Sequence, residues 1–236
     1  MLIIAKARQI VPPAPVGCNL SFPTTGFSFL PPTSGNSGKR LYLYPGLNNG
    51  VSQWSSGTPL DLVNAFRAAG HQVVLLPLPA PQACMFVNGG FQYRENFVAS
   101  LNVMMNAVES VNGPAGLNII GGISFGGLHS MMGAVATGRF AAWFAHVPVT
   151  RIDALSEFPS VGDVRAFNPQ YELSPLKMTT GLVTWGTADT RVNGLLTKAI
   201  ADQLPPSVSR IEYAGQDHST TAQNVADIAA WVNALP

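Results

Sequence analysis

Residues 117–127 of the chain read LNIIGGISFGG. The apolar residues of 117–123 predict a strand buried inside a sheet. Four glycines surround Ser124 and complete the pattern G-x-S-x-G, and the segment 125–137 predicts a helix of small residues. A turn between a strand and a helix can hold a serine hydroxyl exposed, so Ser124 is a candidate nucleophile.

The segments on either side of this stretch alternate between strand and helix patterns. Apolar runs predict strands at 41–44, 71–78, 117–123, 141–147, 181–185 and 208–213. Helices are predicted after Thr58, taken as an N-cap, and at 94–111, 125–137, 195–204 and 220–235. This alternation predicts an α/β fold with a mostly parallel sheet covered by helices on both faces.

Length and composition limit the possible partners of the chain. A length of 236 residues fits one domain, 1–236, in which residues 1–38 form β-rich strands and turns. Charged residues make up only 11% of the chain and leave a net charge of +1, so no basic surface for nucleic acid is expected. Gly, Pro and polar residues interrupt each apolar run, so no membrane span is expected, and no export signal is recognised.

The two cysteines, Cys18 and Cys84, could form at most one bridge. Neither lies in a metal-binding or redox motif. We therefore expect two ordinary thiols.

A serine nucleophile needs a base, and the base needs an orienting acid. Of the four histidines, only His218 lies in a loop between a predicted strand and a predicted helix, and Asp189 follows another strand at the same sheet edge. Asp217 and Asp163 are alternative acids. The chain order Ser124, Asp189, His218 differs from the orders found in chymotrypsin and subtilisin.

The motifs GISFGG, WGTADTRV and AGQDHS make the chain from residue 39 onward resemble the α/β-hydrolase superfamily. A short segment, 174–176, is similar to small esterases and to catalytic domains of the dienelactone-hydrolase and prolyl-oligopeptidase groups. The resemblance implies a serine hydrolase without a cofactor. It also implies an oxyanion hole formed by the main-chain N–H groups of Phe125 and of Leu47 or Asn48, although Pro45-Gly46 stands where relatives commonly carry His-Gly.

The resemblance further places a lid region at residues 148–178, which here has room only for a loop or a short helix. We therefore expect a minimal lid and an open active site. Five aromatic residues are candidates for lining an acyl or leaving-group pocket: Phe91, Tyr93, Phe158, Phe167 and Tyr171.

These features predict a serine esterase that cleaves a carboxylic ester through an acyl-enzyme intermediate. The substrate is a small-molecule or polymer-borne acyl ester. A peptidase or amidase with the same triad is one alternative, and a binding protein that reuses the fold is another. A cytoplasmic location is the default, with an exported or particle-associated enzyme as the alternative.

Overall fold

The computed structural model describes residues 19–86, 90–155, 157–158 and 180–236. Within these ranges the strands are β1 Ser28–Leu30, β2 Lys39–Tyr44, β3 Gln72–Leu75, β4 Leu117–Ile123, β5 Ala142–His146, β6 Gly181–Gly186 and β7 Val208–Tyr213. The α-helices are α1 Gly57–Ala68, α2 Gly90–Asn112, α3 Phe125–Thr137, α4 Gly194–Ala201 and α5 Ala222–Ala234. Short 3₁₀ turns cover Val51–Ser55, Gln82–Cys84 and Ile152–Ala154.

The seven strands form one sheet in the order β1-β3-β2-β4-β5-β6-β7. Only β1 runs antiparallel to its neighbour, and the other pairs are parallel. The predicted α/β fold with a mostly parallel sheet is therefore confirmed.

Helices cover both faces of this sheet. Successive strand residues point toward opposite faces, so each strand packs against helices on both sides. In β2, Tyr42 and Tyr44 pack on the face that carries α2, α3 and α4. Leu41 and Leu43 pack on the opposite face with α1 and α5. Every residue of β2 is buried, as expected for a parallel strand covered on both sides.

Most of the predicted elements agree closely with the structure. Strands 117–123 and 208–213 and helix 125–137 have the predicted bounds, whereas α2 begins four residues before the predicted start. The predicted N-cap at Thr58 is wrong: Ser56 occupies that position without a capping hydrogen bond, and the Thr58 hydroxyl donates to the Thr220 carbonyl. The Thr58 hydroxyl donates to a distant carbonyl instead of accepting from a local N–H, and the bond ties the start of α1 to the loop before α5.

The predicted β-rich segment 1–38 is described from residue 19 onward. It contributes β1 and an antiparallel bridge between Ser21 and Ala80. The prediction for residues 1–18 lies outside the described part of the chain. The prediction of a single domain over 1–236 stays a prediction.

The prediction of ordinary thiols is wrong for Cys84, which is disulfide-bonded. Cys18 is the other cysteine in the sequence and lies outside the described residues. Spacing alone gives no indication of such a bond, because pairing depends on how the folded chain places the two residues.

Of the predicted lid region, 148–155 and 157–158 are described, with a short 3₁₀ turn at Ile152–Ala154. The remainder of 148–178 lies outside the described residues, so the minimal lid stays a prediction there. Among the helices of the described ranges, none combines the length and apolarity needed to cross a membrane.

Candidate active site

The strand register brings the candidate residues to one edge of the sheet. Ile123 pairs with His146 and His146 with Thr184, so β4, β5 and β6 end side by side. The last pair of β6 and β7 joins Gly186 to Tyr213. The residues that follow these carboxyl ends therefore converge, which is where open α/β sheets place their ligands.

Ser124 occupies the sharp turn between β4 and α3. Its φ of 57° and ψ of −117° lie in a region that an L-residue adopts at a cost of about 1–3 kcal/mol. The turn is held by main-chain bonds: the Ser124 N–H donates to the His146 carbonyl at 2.8 Å, and the Ser124 carbonyl accepts from the N–H groups of Gly127 and Val149. The side chain is presented at the sheet edge, and 9% of the residue is exposed.

The two motif glycines allow the backbone to approach itself closely at this turn. A Cβ on Gly122 would lie 2.3 Å from the main chain of Gly126, and a Cβ on Gly126 would lie 2.1 Å from the carbonyl oxygen of Tyr44. No side chain fits at either distance. The pattern G-x-S-x-G is thus a steric requirement of the turn that presents Ser124.

Ser124, His218 and Asp189 form one continuous hydrogen-bonded chain. The His218 Nε2 atom lies 2.8 Å from Ser124 Oγ, and His218 Nδ1 lies 2.8 Å from Asp189 Oδ2. An ionised carboxylate can only accept, so Nδ1 carries the proton and Nε2 is free to accept from the serine hydroxyl. Asp217, the alternative acid beside His218, is exposed, and Asp163 lies outside the described residues.

The Asp189 carboxylate is buried, with a side-chain exposure of 0%. Its second oxygen, Oδ1, accepts from the main-chain N–H groups of Arg191 and Val192 at 3.0 and 3.2 Å. Burial by itself raises the pKa of Asp189, but the hydrogen bond and charge of His218 and these two N–H groups outweigh it and lower the pKa below its usual value. The carboxylate therefore stays ionised at neutral pH.

Main-chain bonds join the Asp189 loop to the His218 loop. Ala188 N–H donates to the Gln216 carbonyl at 2.9 Å, and Gly215 N–H donates to the Thr187 hydroxyl at 2.8 Å. A Cβ on Gly186 would lie only 2.2 Å from the Gln216 carbonyl oxygen, so glycine is required for this approach. The distance between Asp189 and His218 is thereby set by the backbone.

An amide pair that sequence reasoning missed supports the His218 loop. Asn224, fully buried at the start of α5, accepts from Thr221 N–H at 2.7 Å and from Gln216 Nε2 at 3.0 Å, and it donates to Gln216 Oε1 at 3.1 Å. Gln216 Nε2 also donates to the Ser219 carbonyl at 2.9 Å. The two amides thus hold the chain on both sides of His218.

The turn after β2 offers a free main-chain donor. Gly46 N–H donates to Gln53 Oε1 at 2.6 Å, Asn48 N–H donates to Gln82 Oε1 at 2.5 Å, and Asn49 N–H donates to the Gly46 carbonyl at 3.2 Å. Within the described ranges, the Leu47 N–H has no such acceptor. Of the two predicted candidates, the Asn48 N–H therefore already has an acceptor, and the Leu47 N–H is available to bind an oxyanion.

The second predicted donor, Phe125 N–H, lies at the amino end of α3. The first N–H groups of a helix have no acceptor within the helix, and among the described residues this one has no other acceptor. The partial positive charge of the helix end adds to its attraction for an anion.

Two further histidines are buried near the site. His146 Nδ1 contacts the Thr184 hydroxyl at 2.7 Å. The pKa of His146 is lowered to about 4, mainly by burial and further by the charge of His218. The Ser219 main chain and the charge of Asp189 raise this pKa, but by less. His129 lies between the Phe125 carbonyl, 2.8 Å from Nδ1, and the Tyr93 hydroxyl, 2.9 Å from Nε2, and burial lowers its pKa to about 4 as well. Both imidazoles are neutral at pH 7.

A cleft of about 490 Å³ opens beside Ser124 and His218. Most of its lining side chains are polar: Asn48, Asn49, Gln53, Thr58, Arg191 and Thr220. The described aromatic candidates do not line this cleft. Phe91 is exposed, whereas Tyr93 and Phe158 are buried in an aromatic cluster with Phe86, which corrects their predicted role here. Phe167 and Tyr171 lie outside the described residues.

The described ranges contain no cluster of three or more His, Cys, Asp or Glu side chains that could hold a metal ion. The hydrogen-bonded chain from Asp189 to Ser124 can act by proton transfer.

Known proteins resemble this chain in structure and not in sequence. No protein-family model and no curated protein sequence matches it. XC6422 of Xanthomonas campestris, described as an α/β serine hydrolase without a lid, is 15% identical over 86% of this chain and 84% of its own, with a TM-score of 0.60.

Two other solved structures give similar values. Esterase PE8 is 14% identical over 87% of this chain and 96% of its own, with a TM-score of 0.61. The monoacylglycerol lipase of Paleococcus ferrophilus is 12% identical over 89% of this chain and 99% of its own, with a TM-score of 0.64. Together with the sheet order and the serine turn, these likenesses show that the chain has the α/β-hydrolase fold.

Proposed function

We propose that the protein is a serine hydrolase that cleaves carboxylic esters. The observation that carries this proposal is the chain of two 2.8 Å contacts from Ser124 through His218 to the buried Asp189. Structural neighbours described as esterases support the same assignment.

In the proposed reaction, Ser124 Oγ attacks the ester carbonyl while His218 Nε2 accepts its proton. Asp189 keeps the imidazole in the required tautomer and stabilises the imidazolium. The N–H groups of Phe125 and Leu47 bind the oxyanion of the tetrahedral intermediate. His218 then protonates the departing alcohol, and water activated by the same imidazole releases the acid from Ser124.

The polar cleft favours a small or hydroxyl-bearing ester over a long alkyl chain, because apolar chains bind best to apolar walls. The peptidase or amidase with the same triad is the second candidate. The contacts of the triad do not separate the two, since acyl transfer to water is common to both.

A covalent probe tests the proposal directly. We expect a fluorophosphonate to label the protein once, at Ser124, as located by peptide mass spectrometry, because the activated hydroxyl attacks phosphorus as it would a carbonyl. Short-chain nitrophenyl esters should be turned over much faster than aminoacyl anilides. Absence of labelling would favour the binding-protein alternative, and faster anilide cleavage would favour the peptidase.

We also propose that the protein works in an oxidising compartment, in place of the cytoplasmic default. The disulfide at Cys84 carries this proposal, because such bonds persist outside the reducing cytosol. Alkylation of the protein in unreduced extracts of its native cells should leave Cys84 unmodified. Alkylated Cys84 would restore the cytoplasmic assignment.

A further inference from the structure

We propose that Gln82 and Gln53 are positioning residues that orient the Leu47 N–H toward the oxyanion. This inference rests on the proposed function of the site. The two glutamines come from different parts of the chain, and among the described residues neither forms a hydrogen bond with Ser124, although Gln53 lines the same cleft. Their side-chain oxygens accept from the main chain on either side of the Leu47 donor.

The Leu47 N–H lies in the middle one of three consecutive peptide planes. Gly46 N–H belongs to the peptide before the Leu47 donor, and Asn48 N–H belongs to the peptide after it. Gln53 holds the first at 2.6 Å and Gln82 holds the second at 2.5 Å. Because each peptide is planar, bonds at both neighbours restrict rotation of the peptide between them.

The central peptide is held as well, but only through its carbonyl. Asn49 N–H donates to the Gly46 oxygen at 3.2 Å, and this oxygen shares a peptide with Leu47 N–H. In a trans peptide the C=O and N–H point in opposite directions. The bond to the carbonyl therefore leaves the Leu47 N–H facing the other way, without an acceptor among the described residues.

Asn48, the residue after the Leu47 donor, lies in an uncommon backbone region. Its φ of 62° is left-handed, a region that asparagine tolerates better than most residues. In this conformation the Asn48 N–H donates to the Gln82 side-chain oxygen.

The turn that carries Gln82 is itself anchored. It forms the 3₁₀ segment Gln82–Cys84, whose last residue is disulfide-bonded. Directly before it, Ser21 and Ala80 exchange main-chain bonds of 2.7 and 3.0 Å. Gln82 can therefore act as a fixed point for the oxyanion turn.

The test replaces Gln82 by methionine, which is similar in length and has no strong acceptor. Gln82→Met should lower kcat for a short nitrophenyl ester about tenfold, with KM within about twofold, because the lost interaction acts in the transition state. Rates are expressed per Ser124 labelled by the fluorophosphonate, so a loss of folded protein does not contribute. Gln82→Glu keeps an acceptor oxygen and should remain within about threefold of the unmodified enzyme.

A trifluoromethyl ketone gives a readout that a merely structural role would not change. It forms a tetrahedral adduct with a serine, so its Ki should rise about tenfold in Gln82→Met and in Gln53→Met. Gln203→Met, at an exposed glutamine bonded to its own helix at Ala199, is the matched control and should change neither value.

The outcomes separate this inference from the proposed function. The positioning role is overturned if kcat and Ki are both unchanged in Gln82→Met. It is also overturned if kcat falls while Ki stays unchanged, or if Gln82→Glu is as impaired as Gln82→Met. If the unmodified protein does not turn over the ester, the proposed function is overturned instead.

Discussion

Ser124→Ala is expected to reduce kcat for a short nitrophenyl ester by about ten-thousandfold to a millionfold, because the proposed acyl-enzyme forms on the Ser124 hydroxyl. Asp189→Asn should cost about ten-thousandfold, since an amide beside His218 favours the wrong imidazole tautomer. Steady-state kinetics with a fixed ester would measure both.

The loss in Ser124→Ala should not reflect unfolding. Alanine at 124 removes one hydroxyl and leaves intact the main-chain bonds that hold the turn. Ser110→Ala is the matched control, because Ser110 is exposed on α2 and, among the residues the structure describes, its hydroxyl bonds only the Ala107 carbonyl. Its rate and melting temperature should equal those of the unmodified protein. A Ser124→Ala protein that retained the ester rate would remove Ser124 from the mechanism.

Acidification is expected to destabilise the protein before Asp189 is protonated. The buried imidazoles of His129 and His146 have a pKa of about 4, against 6.5 for an exposed histidine. Between pH 6.5 and about pH 4, each of these histidines is protonated in the unfolded chain and neutral in the folded chain. The free energy of unfolding therefore falls by about 1.4 kcal/mol per pH unit for each histidine as the pH is lowered through this range. Between about pH 7 and about pH 5, the two together should cost about 4 kcal/mol.

Urea unfolding at the two pH values, with the disulfide intact, would measure this loss. His129→Gln and His146→Gln keep a polar side chain but cannot titrate, so each should reduce the loss between the two pH values by about 2 kcal/mol. The comparison is made within each variant, which cancels any change in stability at pH 7. An equal loss in the unmodified protein and in both variants would contradict the assignment to these histidines.

The elements nearest Ser124 could be predicted from the sequence because their signals are local. A strand at 117–123, a glycine turn and a helix at 125–137 each depend on residues close together in the chain. The same holds for the placing of Asp189 and His218 after strands, since the carboxyl ends of parallel strands share one edge.

Other predictions failed where distant contacts decide the outcome. Thr58 bonds a carbonyl 162 residues away instead of capping α1. Tyr93 and Phe158 have the composition of pocket aromatics, yet packing buries them in a cluster with Phe86. Cys84 is disulfide-bonded, which spacing did not indicate.

The amino-acid order by itself determined the alternation of strands and helices, the glycines that admit the serine turn, and the chain order of the three candidate catalytic residues. Only the tertiary structure decided which N–H remains free for an oxyanion, because the acceptors of its neighbours, Gln53 and Gln82, lie 7 and 34 residues from the groups they bind. Hydrogen bonds between distant segments leave no periodic pattern in a sequence, since each depends on where folding brings a single side chain.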